Sequence, residues 1–140
     1  DNTRSRGLGD VYKRQGNPLD ELGILQSELF RSVRLVVDTG MHYKKWTREK
    51  AMAYMKAKTG MSDTEVRVEI ERYIVWPAQA LSYKVGMIKI LELRKRAQDA
   101  LGEKFNIKDF HSALLDHGSP PLFIVEEKVN EMINNANSLN

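Results

Sequence analysis

Of the side chains between residues 42 and 84, five are singled out as hydrogen-bond donors to a developing negative charge: His42, Tyr73, Gln79, Tyr83 and Lys84. Neutral or cationic donors of this kind steady an oxyanion rather than attack a substrate, so they suit the supporting half of a hydrolytic site. Arg34 and Asp38 are able to position them, being four residues apart and therefore neighbours on one helix face. The apolar run Leu35-Val36-Val37 beside them predicts a partly buried setting in which the two charges need each other. Four of the donors fall within residues 71 to 86, a stretch with the spacing of a buried helix that also contains Pro77. A proline inside a helix cannot donate to the carbonyl four residues back, so Pro77 predicts a kink near Tyr73. The kink either shapes packing or aims Tyr73, Gln79 and Tyr83 at a cavity.

The elements that must carry these groups are all helical. Leu22, Leu25, Leu29, Val33 and Val36 recur at three- and four-residue spacing and predict a first helix over about residues 20 to 38, stopped at Thr39-Gly40. Residues 41 to 46 then form a short loop holding His42. Thr47 is a suitable N-cap for a second helix ending at Gly60, and Ser62 to Glu65 has capping-box spacing, so the next helix starts at once and the two are neighbours. The third helix is long and central, with apolar residues on several sides from Val66 to Leu91 and a basic end at Arg94-Lys95-Arg96. Gly102 ends it. Phe105 and Phe110 staple a short helix capped by Asn106, Pro120-Pro121 break the chain, and a last amphipathic helix runs through Leu122, Val125, Val129 and Ile133. Nothing alternates at period two over a useful length. The expected architecture is an all-α, multi-helix array with one long Pro-kinked central helix.

Composition narrows the partners. Residues 5 to 15 have no periodicity, and their back-translation resembles an adapter used in shotgun library preparation, so residues 1 to 15 are set aside as a non-native segment. Of the 22 Lys/Arg and 19 Asp/Glu in the chain, four and two lie in those residues, which leaves a net charge of +1. That balance argues against a nucleic-acid partner. The absence of cysteine rules out disulfides and thiolate metal sites. No apolar run approaches the roughly 20 residues needed to span a bilayer, and the compartment stays open. His42, His111 and His117 lack the spacing of a zinc pair, so no metal site is expected within this chain. A phosphate loop and a nucleophile elbow are absent as well.

The run Arg31-Ser32-Val33-Arg34-Leu35-Val36-Val37-Asp38-Thr39-Gly40-Met41-His42, then Tyr54-Met55, Thr59-Gly60-Met61 and Glu71-Arg72-Tyr73 through Gly86, resembles the C-terminal part of bacterial proteins in the domain-of-unknown-function family 885. The likeness covers about Leu22 to Ile133. Members are similar to helical zinc metallopeptidases of the gluzincin type. The resemblance implies that residues 16 to 133 are the C-terminal portion of a larger peptidase-like domain, followed by a polar tail over 134 to 140. It implies a zinc ion bound by ligands upstream of this chain, none bound by this fragment, and a peptide-like substrate in the full-length protein, with the missing N-terminal part as partner. Arg72-Tyr73 is similar to the Arg-Tyr pair that such peptidases place near the substrate carbonyl, with His42 as the accompanying histidine. On that reading Tyr73 and His42 are catalytic, Arg72, Gln79, Tyr83 and Lys84 bind substrate, and Arg34, Asp38 and Pro77 give structural support. The fragment is inactive alone, and the face of the central helix that meets the missing wall is left exposed.

Two other readings use the same residues. A helical interaction module would employ Lys44-Lys45-Trp46 or Arg94-Lys95-Arg96 as its surface. A structural bundle would hold the tyrosines in its core with their hydroxyls satisfied.

Overall fold

The computed structural model describes residues 18 to 138; the segment at residues 1 to 15 lies outside them. Six α-helices and one 3-10 turn make up the described residues, with no strand: α1 (Pro18–His42), α2 (Arg48–Thr59), α3 (Asp63–Val75), α4 (Gln79–Leu101), a 3-10 turn (Gly102–Lys104), α5 (Ile107–Leu115) and α6 (Leu122–Ser138). The chain divides into two compact units that meet in sequence at Lys84 and Val85.

The first unit is built on α1, α2, α3 and the start of α4. Val33, Val37 and Met41 from α1, Ala51 and Met55 from α2, Val66, Ile70 and Tyr73 from α3, and Ala80 form its core. Local signals set the helix ends. The Thr47 hydroxyl accepts the Lys50 N–H, Gly60 takes the left-handed conformation at φ 68°, and Ser62 with Glu65 completes a reciprocal capping box. That tight corner packs α2 against α3, as the capping pattern requires.

The first helix does not stop at Thr39-Gly40. It continues to His42, so His42 belongs to its last turn rather than to a loop. Gly40 is needed for a different reason from chain reversal: a Cβ there would lie 2.6 Å from Cε3 of Trp46. The indole covers the helix at this point, and only glycine leaves room for it.

The long kinked helix is two helices. Pro77 removes a ladder donor, and a residue before proline is driven out of helical geometry; Trp76 accordingly sits at φ −132° and ψ 70°. Ala78 follows at φ 70°. Three consecutive residues therefore leave the helical path, and α4 restarts at Gln79. The expected burial on several sides is also absent, because Val68, Ile74, Val75, Val85 and Ile88 are exposed. Gly86 meets no neighbouring atom within 4 Å. The expected apolar stripe of α1 reaches the core only at Val33: Leu22, Leu25 and Leu29 are exposed, Val36 is half-buried, and Val37 and Met41 complete the buried face.

The second unit has its own core of Leu93, Ala97, Leu101, Phe110, Val125, Val129 and Ile133. Asn106 caps α5 by accepting the Lys108 N–H, and the Phe105 and Phe110 rings meet at 6.2 Å. The final helix runs on to Ser138, through most of the segment read as a tail. Glu126 joins α6 to α4 by accepting from Lys89 at 2.9 Å and Arg96 at 2.7 Å, and these two cations hold its carboxyl below the usual range. A depressed carboxyl stabilises the fold above its unfolded value, and the contribution is lost as pH falls through the folded value. Glu126→Gln is therefore expected to lower the melting temperature at about pH 7, with the difference from the parent shrinking as the pH falls through and below the ordinary carboxylate range. Melting curves across that range check it.

Candidate functional site

The break between α3 and α4 is where the chemistry collects. Asp38, 2% exposed, sits on α1 opposite the break, and both of its carboxylate oxygens accept the Ala78 N–H, at 3.2 and 3.1 Å. One turn further on, Nδ1 of His42 lies 3.2 Å from Oδ1 of Asp38 and 3.0 Å from its backbone oxygen. Both neighbours are acceptors, so Nδ1 is the nitrogen that carries a proton. Nε2 faces the carbonyl of Ile74 at 3.5 Å, at the end of α3. A carboxylate on one imidazole nitrogen is the arrangement that orients histidines in metal and hydrolytic sites.

Arg34 lies one turn before Asp38 and is 5% exposed. The expected pairing of these two charges does not occur. Nη2 of Arg34 donates instead to Oε1 of Gln79 at 3.1 Å, and its Cζ stands 5.3 Å from the Tyr73 ring centre, 5.0 Å from that of Tyr83 and 5.7 Å from that of Phe30. The reason lies in the break: Asp38 is taken up by Ala78 and His42, and the aromatic faces receive the guanidinium as a cation–π partner.

Tyr73 is turned into the core, 1% exposed, and its hydroxyl donates to Glu69. Burial first, and the adjacent Glu69 carboxylate second, push the phenol well above its ordinary value, so it is a neutral donor at any ordinary pH. Arg72 bonds to the same Glu69 at 2.5 Å, with its Cζ 5.2 Å from the Tyr73 ring centre. Tyr83 is 50% exposed, and Lys84 bonds to Glu28 at 2.8 Å.

Three groups of candidates thus stand in contact. Asp38 joins His42 to the break made by Pro77. Arg34 joins Gln79, Tyr73 and Tyr83. Lys84 and Arg72 are each held by a glutamate. Glu69 escaped the reading of the sequence, although its spacing of three and four residues before Arg72 and Tyr73 placed it on their face. The Ala78 N–H could not have been found, because nothing in an alanine announces a left-handed backbone. Among the described residues, no group of three or more His, Cys, Asp or Glu is arranged to hold a metal ion.

No curated protein matches the chain. It is similar to a solved structure described as the "putative lipoprotein from Colwellia psychrerythraea", with 50% identity and a TM-score of 0.85 over 87% of this chain. The chain spans 21% of the length of that protein. The model of the family "Bacterial protein of unknown function (DUF885)" matches residues 6–129, a span that takes in most of the segment set aside above as non-native. With a match over most of its length, the chain belongs to the DUF885 family of bacterial proteins.

Proposed function

We propose that this chain is the C-terminal part of a zinc-dependent, peptidase-like hydrolase, in which it supplies hydrogen-bond donors to the substrate and to the oxyanion formed from it. The observation that carries the reading is the Asp38–His42 pair: a buried carboxylate holds one imidazole N–H, and the other nitrogen faces the Ile74 carbonyl beside the break. The cluster of Arg34, Gln79, Tyr73 and Tyr83 in the same unit supports it with further donors. The similar protein from Colwellia is nearly five times as long as the matched segment, which leaves ample chain to hold the rest of a site.

The residues described here do not fit a zinc centre by themselves, because His42 has its Nδ1 engaged with Asp38 and no third ligand stands near. The metal ligands are assigned to the remainder of the protein, where the ion would act as a Lewis acid. The work of this chain is separate. His42 would present Nε2 to the substrate in place of the Ile74 carbonyl while Asp38 keeps the ring in place. Tyr73 transfers its hydroxyl hydrogen bond from Glu69 to the oxyanion when substrate enters, and Arg72 then remains as the partner of Glu69.

A second reading rests on the burial of Tyr73. A hydroxyl that is enclosed and already satisfied by Glu69 is what a non-catalytic helical module would contain. Turnover separates the two. In the whole polypeptide that carries this segment, assayed on a peptide panel, His42→Gln and Tyr73→Phe are each expected to lower kcat about a hundredfold with the melting temperature little changed. Unaltered turnover together with lost stability in Tyr73→Phe would assign that residue to the core. Absence of turnover on every peptide by the parent protein would sink the hydrolase reading.

A further inference from the structure

Most cations of the first unit that lie near the break are matched by a carboxylate: Lys84 by Glu28, Arg72 by Glu69 and Arg48 by Glu71. Arg31 and Arg34 are not. Among the described residues neither guanidinium has a carboxylate partner, yet both stand against the ring of Tyr83, with Cζ at 4.4 Å for Arg31 and 5.0 Å for Arg34. Nε of Arg34 is buried without any hydrogen-bond partner. A guanidinium 95% removed from solvent that holds one amide oxygen and three aromatic faces is under-satisfied, because burying a charge without a counter-charge is costly. A second guanidinium on the same ring adds repulsion that an anion would relieve.

We propose that Arg31, Arg34 and Tyr83 form a binding site for a carboxylate of the peptide-like substrate. The planar fork of an arginine matches the two oxygens of a carboxylate, and charge-assisted bonds of that type are the strong ones. Arg31 is only partly buried, and Tyr83 is 50% exposed with a hydroxyl that has no partner among the described residues, so an anion arriving from solvent meets these two first. Gln79 fixes the position of Arg34 from the opposite end. The identity of the ligand as a substrate rests on the hydrolase reading; the affinity for a carboxylate does not.

Calorimetric titration of the whole polypeptide tests the site with acetylated tetrapeptides that differ by one group. One pair has uncharged side chains and either a free or an amidated C-terminus. A second pair is amidated and carries either Asp or Asn at one position. Within at least one pair, the acid is expected to bind about tenfold or more tightly than its neutral twin. The pair that discriminates identifies the carboxylate as terminal or side-chain. Arg31→Gln should remove the discrimination, and Arg34→Lys, which keeps the charge but loses the fork, should weaken it, with unfolding curves verifying that each variant is folded. Equal affinity within both pairs overturns the site, and so does discrimination that survives Arg31→Gln. The former is also the result expected if a carboxylate from elsewhere in the polypeptide already occupies the arginines. Discrimination without turnover would sink the hydrolase reading and leave the carboxylate site standing; turnover without discrimination would do the reverse.

Discussion

Asp38→Ala is expected to destabilise the first unit by about 3 kcal/mol, more than any other single change in the candidate site. The carboxylate is 2% exposed and serves two groups: the Ala78 N–H, and Nδ1 of His42, which it shares with the backbone carbonyl of residue 38. A non-glycine residue in the left-handed region carries a local cost of roughly 1 to 2 kcal/mol, and Ala78 at φ 70° persists there because its N–H is aimed at Asp38. Removing the acceptor leaves the Ala78 donor unsatisfied, takes away one of the two oxygens that face Nδ1 of His42 and opens a small void at once. Asp38→Asn keeps one acceptor oxygen and should lose about half as much. Urea titrations at unchanged slope measure both. Losses below about 0.5 kcal/mol for the alanine variant would mean that Pro77 and the helix ends hold the break without Asp38.

The second large effect is a glycine whose replacement goes the wrong way. Exchanging a helical glycine for alanine ordinarily stabilises by about 1 kcal/mol. At Gly40 the added Cβ would sit 2.6 Å from Cε3 and 2.7 Å from Cδ2 of Trp46. The indole cannot swing aside cheaply, since it packs 5.5 Å from the Tyr54 ring, lies under Lys50 and donates its backbone N–H to the Gly40 carbonyl at 2.9 Å. The clash therefore outweighs propensity, and Gly40→Ala is expected to cost about 2 to 3 kcal/mol net. Gly23 supplies the control on the same helix. No atom lies within 4 Å of a Cβ built there, so Gly23→Ala should stabilise by up to about 1 kcal/mol. Stabilisation by both variants would show that the indole yields to the methyl group.

By itself the sequence determined the class of the fold, the capped corners and the membership of one face of most helices. Those features depend on short-range chemistry: Ser62 and Glu65 satisfy each other's backbone, Asn106 caps the turn that follows it, and Val125, Val129 and Ile133 share a face through helical period alone. Of the residues it singled out, Asp38 and His42 stand in contact at the break, and Arg34 bonds to Gln79, the first residue of α4. What it could not determine is which partner each charged group takes. Arg34 and Asp38 are four apart and were paired on that ground, but Asp38 turns to an N–H forty residues away and Arg34 to an amide forty-five residues away. The proline announced a disturbance without its size, because the left-handed Ala78 that converts a kink into a break is held by a contact from another helix. Gly40 was expected to stop α1, but α1 runs on through it and the glycine instead makes room for the Trp46 ring, a contact between residues six apart that helical spacing does not encode. Long-range satisfaction of buried polar groups is a property of the assembled helices, and no local spacing encodes it.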